Sequence, residues 1–292
     1  MAIDSSFLEA LKRLNFLVKR RVSDIYIGGR RSIKQGRGTD LADHRGYYPG
    51  DDFKTIDWRL YGRTEKLYIR RFEEEKDLIL RILIDSSASM DFYALGMRKF
   101  DYGGSIAAGF AYIALNNYEK FSSALYSDKV MDVMPVRKGK NHFFRMIEVL
   151  NGSEQEGHTN LAACIEEYTK MIKSRSFIVI ISDFIEPIDS LREGIYRVAR
   201  HSEEAVLIQV LDPGEVELMW EDDIDFEDME SLDSRRTYLS PAFKKEYRGR
   251  LEDHISSIQG ICNEAGVDFF SVRTDAPLFD SFVDIIGGRM RR

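Results

Sequence analysis

The stretch "LILRILIDSSASM", residues 78–90, runs from an apolar segment into one acid and a cluster of small hydroxyls. A strand that ends ahead of a helix needs one such residue as a cap, since Ser and Asp oxygens accept from the first free backbone N–H groups. Here Asp85, Ser87 and Ser89 alternate, so an extended or gently turning loop aims all three oxygens at one point. That is the chemistry of a hard divalent cation. Mg2+ takes about six oxygen ligands in an octahedral array and keeps several of its waters. Two more groups can extend the set: Asp183, which closes the apolar run "IVIISD", and Thr159, just before the helical pattern of "EGHTNLAACIEEY".

The elements that must position these groups follow from apolar periodicity. From residue 78 onward, strand-length apolar runs alternate with helix-length segments. Strands are expected at 78–85, 176–184, 205–212 and 267–274, with "FSSALYS" and "VMDVMP" joined tightly at Asp128-Lys129. Helices are expected at 100–120, 141–149, 160–173, 189–201 and about 241–265, with a short one at the end. Continuous apolar strands alternating with helices imply a Rossmann-like, doubly wound, mostly parallel α/β sheet. In such sheets ligands sit beyond the carboxyl ends of the strands, where the strand order reverses. Asp85 and Asp183 both end strands, so neighbouring positions would bring them into one crevice.

Residues 1–77 read differently from 78–292. A helix at about 4–20 precedes a stretch rich in Gly, Arg, Tyr and Asp, with a strand-like alternation only at "KLYIRRFEEE". This extension is too short and polar for a core of its own and is expected to pack on the main domain. Its "PGDD" reads as turn chemistry. Asp51, Asp52, Asp57, Arg63 and Arg70 could also form an ion-pair network, and Trp58 is expected to anchor a local core.

Charge narrows the function classes. With 42 basic and 49 acidic residues the net charge is −7, which gives no general case for nucleic-acid binding. A basic block spans Lys12–Arg37, but it lacks the interleaved aromatics that stack on bases. An acidic block spans Asp212–Asp233 without the spacing of a calcium loop, and it reads as a flexible loop near the carboxyl-end face. Cys164 and Cys262 read as buried, reduced thiols. No stretch of about 18 unbroken apolar residues offers a membrane span, and no cleavable leader is legible, so a cytoplasmic location is expected.

The DxSxS run, the "GxTN" threonine and the acid ending the next strand together resemble the metal-ion-dependent adhesion site (MIDAS) of von Willebrand factor A domains. The matching residues are Asp85, Ser87, Ser89, Thr159 and Asp183; His158 departs from the pattern, where that family more often has glycine. Residues 36–90 also resemble the DUF58 signature, through Pro49-Gly50-Asp51-Asp52, Ile56-Asp57-Trp58, Arg63, Arg70, Phe72 and Glu75. These resemblances imply bound Mg2+, with Mn2+ or Ca2+ as other occupants. They also imply a MoxR-type AAA+ ATPase or another A-domain protein as partner, met through an acidic residue that completes the metal shell, and no catalysis. The competing class is a metal-dependent, phosphatase-like hydrolase using the Asp85/Asp183 crevice. Enzymes with an aspartate nucleophile need a second acid two residues on, where this chain has Ser87. A substrate pocket with a general base or a lysine near the five ligands would favour the hydrolase, and none is legible in the sequence.

Overall fold

The structure, a computed structural model, describes residues 40–73, 79–172, 174, 176–220, 223–227 and 234–289. The helix expected at 4–20, the basic block, Glu75 and residues 221–222 and 228–233 of the acidic block lie outside the described residues. The described chain divides into two compact units, residues 40–73 and 79–289.

In the smaller unit, strands β1 (Asp40–Gly46) and β2 (Tyr68–Glu73) form an antiparallel ribbon. Between them lie a 3-10 turn at Phe53–Thr55 and helix α1 (Trp58–Thr64). The acids of the signature build these bends. Asp51 holds Arg45 through two bonds of 2.8 and 2.7 Å and accepts from the Tyr48 N–H. Asp52 accepts from the Lys54 N–H and starts the 3-10 turn. Asp57 caps α1 by accepting from the Arg59 and Leu60 N–H groups, and its other oxygen meets His44 Nε2 at 2.9 Å. The anchor expected at Trp58 is corrected: that side chain is 60% exposed and only leans edge-on to Tyr61. Asp57 starts the helix at Trp58, and the apolar contact across the unit falls to Ile56 and Ile69, which pair in an isolated bridge and are 1% and 2% exposed.

The larger unit carries a six-stranded sheet. Its strands are β3 (Ile79–Asp85), β4 (Lys120–Tyr126), β5 (Val130–Met131), β6 (Phe177–Ser182), β7 (Glu204–Leu211) and β10 (Asp268–Arg273). The spatial order is β10-β7-β6-β3-β4-β5, parallel throughout except for the edge strand β5. β8 (Asp223–Glu227) and β9 (Ser234–Tyr238) form a separate hairpin. The chain leaves β3 towards β4 on one side and leaves β6 towards β7 on the other. The order therefore reverses between β3 and β6, and the crevice of a doubly wound sheet opens beyond their carboxyl ends.

Helices cover both faces, as a sheet buried on two sides requires. Helices α4 (Leu161–Met171), α5 (Ile188–His201) and α7 (Pro241–Ala265) pack in sequence on one face, over Leu83, Tyr126, Ile178, Ile180 and Leu207. On the other lie α2 (Lys99–Asn116), α3 (Lys140–Gly152) and α8 (Leu278–Arg289). Two glycines of "YGGSIAAG" let α2 approach closely. A Cβ at Gly103 would stand 2.9 Å from Ile181 Cγ2, and one at Gly109 would stand 2.7 Å from Phe282 Cε2. Cys164 and Cys262 are buried free thiols, each pushed up to about 12 by burial.

Two expectations change in detail. The strand expected over "VMDVMP" stops after Met131, because Asp132 takes a φ of 46°, which no strand accommodates. Part of the acidic block, expected to be a flexible loop, is ordered: Asp212 caps a one-turn helix, α6 (Pro213–Glu217), in a reciprocal capping box with Glu215.

Candidate metal centre

Asp85 ends β3 and is fully buried. Its Oδ1 accepts from the Ser87 N–H at 2.8 Å. Its Oδ2 accepts from the Ser182 hydroxyl at 2.6 Å and from the Thr159 hydroxyl at 3.2 Å. Ser182 is the last residue of β6, so Asp183 begins the turn that follows, beside Asp85 across the switch point. The Ser87 and Ser89 hydroxyls lie 3.1 Å apart, and the Ser89 hydroxyl contributes to holding Asp183 ionised. All five residues singled out in the sequence thus converge on one crevice.

Local structure explains how. The Asp85–Ser89 loop and the loop before α4 are laced by backbone bonds, Ala88 N–H to Gly157 O and Glu156 N–H to Ser86 O. Gly157 holds a φ of 83°, a conformation that side-chain-bearing residues rarely take, and the turn it allows brings Thr159 over Asp85. His158 is exposed on the same loop.

Helix capping does not account for the hydroxyls. Ser87 precedes the 3-10 turn Ala88–Asp91 but makes no side-chain cap bond. The cap of α4 is Asn160, whose oxygen accepts from the Ala163 N–H, and the Glu186 carboxylate accepts from the Leu161 N–H. Thr159 is left to face Asp85.

The charges are unequally matched. Burial and the nearby Asp183 push the Asp85 carboxyl up to about 7, against the pull of its hydrogen bonds. Asp183 is also buried, yet its carboxyl is held below the usual range because Lys99 more than offsets that burial. Lys99, at the first turn of α2, is 0% exposed, with Nζ 2.8 Å from Asp183 Oδ2 and 2.6 Å from Glu215 Oε1. Burial alone would lower its pKa, but Asp183 and Glu215 together raise it. The expectation that no lysine lies near the five residues is therefore corrected. Lys99 stands 84 residues from Asp183 and 116 from Glu215, at a helix start where a lysine reads as solvated. No sequence signal marked it.

The turn after Asp183 is held from several sides. Phe184 takes a φ of 52°, its carbonyl accepts from His254 Nε2 at 2.8 Å, and the Asp183 carbonyl accepts from Gln209 Nε2 at 2.9 Å. Backbone strain of this kind costs of order 1–3 kcal/mol and persists only where the surroundings enforce it.

The donor set suits a hard cation. It comprises Asp85, the hydroxyls of Ser87, Ser89 and Thr159, and Asp183, all oxygen. Among the described residues no three His, Cys, Asp or Glu side chains group around one point, so any ion here would lean on hydroxyls. The crevice also has a charge to balance: Asp183 and Glu215 share the Lys99 ammonium, and Asp85 stands close enough to Asp183 to be raised by it.

Sheet order and the position of the switch point define a doubly wound, mostly parallel α/β protein whose crevice gathers acids and hydroxyls. A family model described as "Protein of unknown function DUF58" matches residues 43–256, most of the chain, and the chain belongs to that family. The uncharacterized protein Rv1480 of Mycobacterium tuberculosis is 27% identical over 291 residues, covering 99% of this chain and 91% of that one. The uncharacterized protein YeaD of Bacillus subtilis is 26% identical over 139 residues, 48% of this chain and 33% of its own. Among solved structures, BatB from Bacteroides thetaiotaomicron aligns with a TM-score of 0.48 and 12% identity, over 74% of this chain and 100% of that one. The SpRpn10 VWA domain aligns with a TM-score of 0.44 and 12% identity, over 72% and 95%. No helix among the described residues is long and apolar enough to cross a membrane.

Proposed function

We propose that this protein is a non-catalytic, divalent-metal-dependent binding module. Asp85, Ser87, Ser89 and Thr159 would hold the ion directly and Asp183 directly or through water, with Mg2+ the first candidate and Mn2+ or Ca2+ fitting the same oxygens. The reading rests on one observation: Asp85 is a fully buried carboxylate that accepts from the Ser182 and Thr159 hydroxyls at the switch point, while the Lys99 ammonium is bonded to Asp183 and Glu215. A dication supplies the missing charge.

The surroundings favour binding over catalysis. Tyr93, Leu95 and Met97 follow the hydroxyl loop, Ile185 follows Asp183, and Met219 follows α6; all five are exposed. Exposed apolar side chains in the segments that follow the centre's residues suit a surface that receives another macromolecule. Lys99 is the observation that could favour a hydrolase. Wholly buried and bonded to two carboxylates, it has no free lone pair to act as a base and no exposed charge to meet a phosphate.

The partner would be a MoxR-type AAA+ ATPase or another A-domain protein, whose acidic side chain completes the metal shell, in assembly or maturation of a protein complex. The test is capture of a MoxR-type ATPase on the immobilised protein, in Mg2+ and in chelator. Capture that needs Mg2+ and is lost in Asp85→Ala supports the proposal. Capture unaffected by chelator contradicts the metal's role.

A further inference from the structure

Asp85 and Asp183 are not equivalent, although the sequence pattern treats them as a pair. The partners of Asp85 Oδ2 are the hydroxyls of Ser182 and Thr159, which can rotate and turn a lone pair outward when a cation arrives. Asp183 is also held by the Ser89 hydroxyl, but each of its oxygens in addition takes a donor that cannot turn to accept. Its Oδ2 takes the Lys99 ammonium at 2.8 Å, and its Oδ1 takes the Ile185 N–H at 3.2 Å. The same ammonium is fixed from behind by Glu215 at 2.6 Å, and Glu215 is itself fixed by accepting from the Asp212 N–H in the cap of α6.

We infer that Lys99 is a resident cation that occupies Asp183 and so sets the affinity of the centre, leaving Asp85 as the one carboxylate open to a metal ion. This rests on the metal-binding reading above. A dication and an ammonium seek the same Asp183 oxygen and repel one another across it. With Asp183 engaged, the ion meets one protein carboxylate and three hydroxyls, a weak set that a carboxylate from a partner would complete. Lys99 is thus a positioning residue: it acts on the ion through Asp183.

The test compares Mg2+ binding by calorimetry in the wild type, Asp85→Asn and the double variant Lys99→Gln/Glu215→Gln. The double variant removes one charge of each sign, so the net charge of the crevice is unchanged and only the hold on Asp183 is released. Binding about tenfold tighter or more in the double variant supports the inference. Binding within twofold of the wild type, in both cases lost with Asp85→Asn, overturns it and leaves the metal centre standing. No binding by wild type or double variant at millimolar Mg2+ overturns both.

Should the double variant not fold, the wild type gives a second readout. The buried Lys99 ammonium is shielded from exchange and observable by 1H–15N NMR. Saturating Mg2+ should shift or broaden that signal by loosening the pair with Asp183. A signal unmoved at an Mg2+ concentration that saturates calorimetric binding overturns the inference.

Discussion

Thr159 Oγ1 donates to Asp85 Oδ2 at 3.2 Å, joining residues 74 apart in the chain. The contact exists because β3 and β6 are neighbours at the point where the strand order reverses, and because Gly157 turns the preceding loop over the end of β3. The adjacent residue, Asn160, takes over the cap of α4. Two neighbouring polar residues thus serve separate ends, one the helix and the other the crevice.

That division separates two variants. Thr159→Val removes a hydroxyl that donates to the buried Asp85 carboxylate, so metal-free stability should fall by about 1–2 kcal/mol and Mg2+ affinity should fall with it. Asn160→Ala should cost about 1 kcal/mol through the lost cap and leave Mg2+ affinity unchanged. Denaturant melts in chelator and calorimetry in Mg2+ read the two effects apart.

Asp85 makes metal-free stability depend on pH. Its carboxyl lies at about 7 in the fold against a usual 3.8, because burial and Asp183 disfavour its charge. Between those values the folded protein holds a proton that the unfolded chain has released, so stability falls as pH rises from about 4 to about 7 and is level above that. The full effect is on the order of 4 kcal/mol. Asp85→Asn keeps an oxygen for the Ser87 N–H and turns an amide to hydroxyls that can accept. The variant should therefore be more stable than the wild type in chelator at pH 8, with the gap closing towards pH 4. In excess Mg2+ the wild type should gain stability and the variant should not. Thermal melts across that pH range, with and without Mg2+, check both statements.

Gly103 carries the approach of α2 to the sheet. Gly103→Ala would put a methyl 2.9 Å from Ile181 Cγ2, in β6 two residues before Asp183, where a packed core has little room to yield. A loss of about 1–3 kcal/mol follows, and because β6 carries Asp183 to the crevice, Mg2+ binding should weaken in the same variant. Gly249→Ala, at an open position of α7, is the control and should not destabilise. Urea melts of the three proteins decide it.

Much of the centre was legible before folding because its signals are local. The alternation of Asp85, Ser87 and Ser89, the acid closing "IVIISD" and the glycine two residues before Thr159 each show in a few residues, and continuous apolar runs give the buried parallel strands. What was not legible depends on which distant groups the fold brings together. Lys99 looks like any lysine opening a helix until Asp183, after β6, and Glu215, in α6, close on it. Glu215 looks like one member of an acidic run until the capping box of α6 aims it inward. Trp58 differs for the opposite reason: its size and aromaticity suggest burial, while Ile56 and Ile69 make the contact instead.

Titration calorimetry of Mg2+ into the wild type beside Asp85→Ala tests the central claim most directly. Binding by the wild type that disappears in the variant is the result this account predicts. Binding that persists with equal affinity in Asp85→Ala would place the ion elsewhere, and no binding by the wild type at millimolar Mg2+ would contradict the metal centre itself.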